Sequence, residues 1–424
     1  MYRGSVRGGK LFVTVLFFLQ VFLLPISCKK GDPLPGSEGW EWDGIVVKAN
    51  PKAVTKTNGQ KLYVHYMSWF ETPQTHPERI WGLHWTMANR NPDMILANGR
   101  RQIASYFYPL IGPYASSDPD VLDYHTLLMK YTGIDGAIVD WYGSHELFDY
   151  PLIRRNTDSL FDHLPRAGLK FAICYEDMTL QQVKQAEGME PAAAAKQDFN
   201  YLQARYFGSS NYIKIGTQPL VLCFGPQVLQ TEASWQQTFA GLATKPRLLT
   251  LWDLGSLPGS QGSGEFSWVY QYDADCQYFY QYKVPRLATA IGSAFPGFKS
   301  FYAEGGWGSP VFERSHNGTA TLQRTLNLAK INNLAGLQLV TWNDFGEGTM
   351  LEPTLDFSYS FLEAIQRYAG VPYTKAELQL VYRWYMLRKK YAADERIQAA
   401  LLQAYYFLVS LDVAKARLIV EAIE

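Results

Sequence analysis

Two carboxylates three residues apart, Asp344 and Glu347, stand in the stretch Thr341-Trp342-Asn343-Asp344-Phe345-Gly346-Glu347-Gly348-Thr349. Two acids at a fixed spacing can share the work of glycoside hydrolysis: one protonates the leaving oxygen, the other acts as base. The indole of Trp342 offers an apolar face of the kind that packs on a sugar ring. Gly346 and Gly348 bracket Glu347, and glycine admits positive φ and a close approach of ligand to the main chain. The plainer reading makes Asp344 a helix cap. Gly346, Gly348 and Pro353 would make a poor first turn for that helix.

The acids need a strand to carry them, and residues 337–342 form a short apolar run ending just before them. Similar runs lie at 62–67, 102–108, 136–141, 170–175, 219–224, 248–252 and 287–291, with helical patterns between them. Short, near-continuously apolar strands alternating with helices predict an α/β chain, a (β/α)8 TIM barrel over residues 61–370. A ninth run, 266–272, also has strand character. Active sites of such barrels gather at the C-terminal ends of the strands. Those ends carry His65, Tyr66 and Trp69, then Tyr106 to Tyr108, then Asp140, Trp141 and Tyr142, then Glu176 and Asp177, then Trp252 and Asp253, and finally Trp342 and Asn343. Each alone suits a helix cap or a rim residue, but together they describe a sugar cleft. After residue 370 the pattern is helical only, which predicts a small helical extension over 371–424.

Composition narrows the partners. Lys+Arg and Asp+Glu are both 39, so no basic excess exists to neutralise a nucleic-acid backbone. Nucleotide-binding glycine loops, a G-x-S-x-G elbow and H-E-x-x-H are all missing from the sequence, and the expectation is an enzyme with no cofactor and no metal. His65 and Asp140 are the candidates if a metal were assembled from separate strands. His84 and Trp85 suit either the cleft or its rim. Cys174, Cys223 and Cys276 fall in apolar surroundings and read as reduced core residues. Cys28 differs: Arg3, Arg7 and Lys10 precede an apolar run at 11–26, the form of a secretory signal. A cysteine at that place resembles a bacterial lipoprotein site, although Pro25-Ile26-Ser27 depart from the usual pattern and an ordinary signal peptide stays open. The expected organisation is a signal peptide over 1–28, a Gly/Pro-rich linker over 29–60, then barrel and extension. Lipidation of Cys28 would anchor the chain to the cell envelope, with no other contact to membrane.

Three motifs resemble glycoside hydrolase families 71 and 99: residues 63–70, residues 134–143 and residues 342–349. The resemblance implies a (β/α)8 enzyme acting on α-linked glucan or α-mannoside, with the acid pair catalytic. Family 99 has Glu-x-x-Glu here. Glu347 matches its acid/base residue, while Asp344 replaces the first Glu and looks like the inverting family 71. The resemblance also places Tyr66, Glu176 and Tyr270 in the cleft. The contrasting expectation is a glycan-binding lipoprotein that keeps the barrel without turnover.

Overall fold

The structure, a computed structural model, describes residues 44–309, 311–330 and 334–424. Cys28 and the signal-like stretch lie outside the described residues. Eight parallel strands close into a barrel: β1 Leu62–Met67, β2 Gly136–Trp141, β3 Lys170–Tyr175, β4 Gln218–Cys223, β5 Arg247–Leu251, β6 Gly262–Phe266, β7 Ala290–Ala294 and β8 Gly336–Leu339. Closure comes from β1 lying between β2 and β8, and from β3 pairing with β4. Helices cover the outside, among them α1 Pro119–Thr132, α2 Tyr150–His163, α3 Thr179–Glu187 and α4 Pro191–Leu202. Between β5 and β6 a 3-10 turn, Gly259–Gln261, stands where a helix would be.

The alternation of side chains along each strand sorts the residues physically. On β1, Tyr66 faces outward to α1, while His65 faces inward. The barrel interior is polar: Gln338 lies 3.3 Å from His65 Nδ1 and donates to the Ser267 carbonyl at 2.7 Å. Ser267 and Ser293 hydroxyls meet at 3.0 Å. Such a wired interior holds the inward residues at fixed heights, because buried polar groups must find partners.

Residues 102–108, expected to be a strand, are loop. Their hydrogen-bond partners lie outside the sheet: the Ala104 amide donates to the Trp85 carbonyl, in the short helix Leu83–Thr86, at 2.9 Å, and Ser105 Oγ donates to the Phe345 carbonyl at 2.9 Å. Their apolar character serves packing beneath the acid-bearing turn, not a sheet. The missing strand is Gly262–Phe266, a glycine-rich segment with little strand propensity. Its Gly264 has φ +154°, and a Cβ there would lie 1.9 Å from the Thr289 carbonyl oxygen. The seventh strand is shifted towards the C-terminus from its expected place at 287–291.

The chain ends in three helices, Lys375–Lys390, Glu395–Val409 and Val413–Ile423. Arg388 pairs with Asp120 at 2.8 Å and Lys389 with Asp118 at 2.6 Å, so the first of them is seated on α1. Residues before β1 run along the same group, with the Lys52 amide donating to the Val409 carbonyl at 3.0 Å.

Candidate active site

The acid pair lies on a turn tied down at every step. Beyond β8 the Trp342 amide donates to the His65 carbonyl at 2.6 Å, keeping the chain beside β1. The Asn343 side chain then clips both the amide and the carbonyl of Met67, each at 2.9 Å. Thr341 Oγ1 accepts the Asp344 amide at 2.8 Å and meets Thr349 Oγ1 at 3.0 Å, closing the loop on itself. From the far side, Lys299 and Phe301 donate their amides to the carbonyls of Glu347 and Gly346 at 2.8 and 2.7 Å. Gly348 has φ +65°, and a Cβ there would lie 2.8 Å from the Lys299 carbonyl. Only glycine fits that position.

Four carboxyls meet at the mouth. Asp140 ends β2 on its inner side, Glu176 follows β3, and Asp344 and Glu347 follow β8. Burial pushes Asp344 up to about 7, while amides of Glu347 and Gly346 work against the rise. Burial and the neighbouring Asp344 push Glu347 up to about 8, with a hydrogen bond from Tyr302 opposing. Asp140 is raised to about 8 by burial and by Asp344, and Glu176 rises well above its ordinary range through burial and Asp140. A cluster of buried acids cannot ionise together, so some hold protons near neutral pH. Asp344 is 2 % exposed, whereas Glu347 is partly open to the cleft. The two acids thus stand in different surroundings, one recessed and one facing the cleft, the division a base and an acid require.

Other expected site residues divide by face. His65 lies on the barrel floor against Trp268, ring centroids 4.6 Å apart, and burial lowers it to about 3, so it is neutral. Trp69 stacks flat on His84 at 3.9 Å, with Trp307 edge-on to His84 at 5.6 Å, forming an aromatic rim. Tyr142 is partly exposed near Trp69, and Tyr270 is buried against Trp252. Four residues point away from the cleft. Trp141 is wholly buried outside the barrel, stacked on Tyr201 at 5.8 Å. Tyr66 bonds His125 Nδ1 at 3.0 Å on α1. Trp342 is wholly buried against His125 at 5.4 Å, and Asn343 spends its amide on Met67 and Tyr114. The parity of β1 and β2 explains the first two, and the clip to β1 explains the last two.

Tyr302 is a site residue that the sequence reading missed. Its hydroxyl donates to Glu347 Oε1 at 3.2 Å, from the short helix Tyr302–Gly305 in the loop after β7. A strand ending near residue 294 puts this loop at the mouth, and only its fold beyond the strand brings Tyr302 to Glu347. The ligand atoms of His65, Asp140 and Cys174 lie within 4.8 Å of one another, a donor set suited to a borderline cation. Burial raises both Asp140 and Cys174, so an ion would have to displace their protons.

A (β/α)8 barrel with clustered carboxyls and an aromatic rim at its C-terminal mouth has the architecture of a glycosidase. The glycosyl hydrolase family 99 model matches residues 57–243. The chain is therefore family 99-like across β1 to β4, and the Asp344–Glu347 turn lies beyond the matched segment. The glycoprotein endo-alpha-1,2-mannosidase-like protein of Mus musculus is 32 % identical over 87 residues, 19 % of each chain. The glycoprotein endo-alpha-1,2-mannosidase of Rattus norvegicus is 29 % identical over 112 residues, 23 % of this chain and 24 % of that one. These matches span about a fifth to a quarter of the relatives' length. Among solved structures, the GH99 endo-alpha-mannosidase of Bacteroides thetaiotaomicron superposes with a TM-score of 0.57 at 17 % identity, covering 76 % of this chain and 98 % of that one. That likeness confirms the barrel.

Proposed function

We propose that this protein is a glycoside hydrolase of α-linked polysaccharide, of the α-mannan or α-1,3-glucan class. The observation that carries the reading is the acid pair beyond β8, with Asp344 buried and Glu347 partly open, facing Asp140 and Glu176 at one mouth. Burial raises both acids of the pair, Asp344 to about 7 and Glu347 to about 8. Glu347 is assigned as general acid to the leaving oxygen, and Asp344 as base. Tyr302 steadies Glu347 once its proton has gone, Trp69 and Tyr142 offer faces to the sugar, and Asp140 and Glu176 bond its hydroxyls. Mannosidase names among the relatives favour mannan as the first substrate to try, and Asp in place of Glu keeps glucan in view. The test is release of reducing ends from both polysaccharides by the wild type and by Glu347→Gln. Cleavage of neither by the wild type, with retention of glycan, would make the protein a binder. We also infer envelope anchoring through Cys28, supported by the basic and apolar run before it.

A further inference from the structure

At the end of the barrel opposite the acids, a cavity of about 480 Å³ opens among the N-terminal ends of β1 to β3 and residues 210–214, ahead of β4. Five lysines line it, Lys56, Lys61, Lys130, Lys170 and Lys214, against one acid, Asp135. Five cations less one anion leave an excess of four in a chain whose charges balance overall at 39 each. Asp135 is already spent. Lys56 pairs with its Oδ2, Lys61 stands 3.3 Å from its Oδ1, and the Leu62 amide donates to Oδ2 at 2.9 Å. Lys130 Nζ donates to the carbonyls of Lys52 and Ala167, and Lys170 Nζ to the Ser210 carbonyl at 3.0 Å. Carbonyls satisfy donors but carry no full negative charge.

The N-terminal face of a barrel usually serves stability. A single Lys–Asp pair would do that, and further ammoniums around it repel one another. Burial lowers Lys130 to about 8, a shift an anion beside it would reverse. Between the lysines the walls are apolar, with Val54, Tyr63, Ile134, Leu169 and Tyr212 among the lining residues. A cavity of this size takes a small organic molecule, and lysine ammoniums are point-charge phosphate binders. We propose that this cavity binds a phosphate monoester, its dianion among the lysines and its organic part against the apolar wall. The site is independent of the acid pair.

Titration calorimetry at low salt with inorganic phosphate and with glucose 6-phosphate tests it, alongside sedimentation with phosphatidic acid and phosphatidylcholine vesicles. Lys61, Lys170 and Lys214 are exposed, so the triple change to Gln leaves the fold intact by circular dichroism. Binding of a phosphate-bearing probe, weakened at least tenfold in the triple variant and by added salt, is the expected result. Glucose 6-phosphate alone would assign a soluble ester, and phosphatidic acid alone a lipid headgroup. No binding of any probe at millimolar concentration, or equal affinity in the variant, would overturn the site.

Discussion

The Glu347 amide donates to Asp344 Oδ1 at 2.8 Å, so the backbone of one acid fixes the carboxylate of the other. The bond also draws the Asp344 side chain back onto its own turn. The acid is therefore coupled to a held base, and changes at either residue act on both.

Loss of the proton donor should be severe. Glu347→Gln keeps the shape, and hydrolysis should fall by about 10²–10⁴-fold while glycan binding persists. In the wild type, kcat/KM should fall below about pH 7 as Asp344 takes a proton and above about pH 8 as Glu347 loses one. A profile flat from pH 6 to 9, or a variant with near-normal turnover, would remove the assignment.

Much of this site was legible because chemistry and chain order coincide. Asp344, Glu347, Asp140 and Glu176 follow apolar runs, and a strand end in such a barrel is a site position. Facing was harder to read. Trp141 and Asp140 are neighbours in sequence, yet strand alternation sends one outward and the other into the mouth. Tyr302 was hidden because it lies well past the end of β7 at Ala294, on a short helix whose approach to Glu347 no strand pattern gives. Strand β6 was obscured by Gly262 and Gly264, which lower propensity while allowing the close contact to Thr289.

Tyr302→Phe removes the hydrogen bond to the Glu347 carboxylate, which opposes the rise caused by burial. The alkaline limb of kcat/KM should move up by about one pH unit, since a bond to a charged group is worth roughly 1.5–3 kcal/mol and one unit about 1.4. A limb that stays in place would mean that Tyr302 only packs.

The buried acids cost stability as they ionise. Each folded carboxyl is raised above its unfolded value of about 4, so the folded state binds more protons from there to about pH 8. Their contribution is fully present below pH 4 and is lost as pH rises through the folded values. Glu347→Gln should therefore melt higher than wild type at pH 8, by roughly 1–3 °C, and equally at pH 4. Scanning calorimetry at both values would expose the opposite order.

If Cys28 is lipidated, the native protein should partition into detergent, and Cys28→Ser should stay aqueous or unprocessed. Equal partitioning of the two forms would leave an ordinary signal peptide as the reading.

The stereochemical course turns on the reach of Asp344. Direct attack on the anomeric carbon needs carboxyls about 5–5.5 Å apart, whereas inversion leaves about 6.5–9.5 Å for a water. Aspartate is one methylene shorter than the glutamate at this place in family 99. Here it is also held back by the Glu347 amide and is 2 % exposed. A short, recessed base meets a water more readily than it meets a sugar hydroxyl. The first product from an α-linked substrate should therefore be the β-anomer, seen by proton NMR before mutarotation. Asp344→Glu should crowd that water and lower the rate, by about tenfold or more given the sensitivity of a positioned base to ångström displacements. An initial α-anomer, or a faster Asp344→Glu enzyme, would place the base on the substrate and make the reaction retaining.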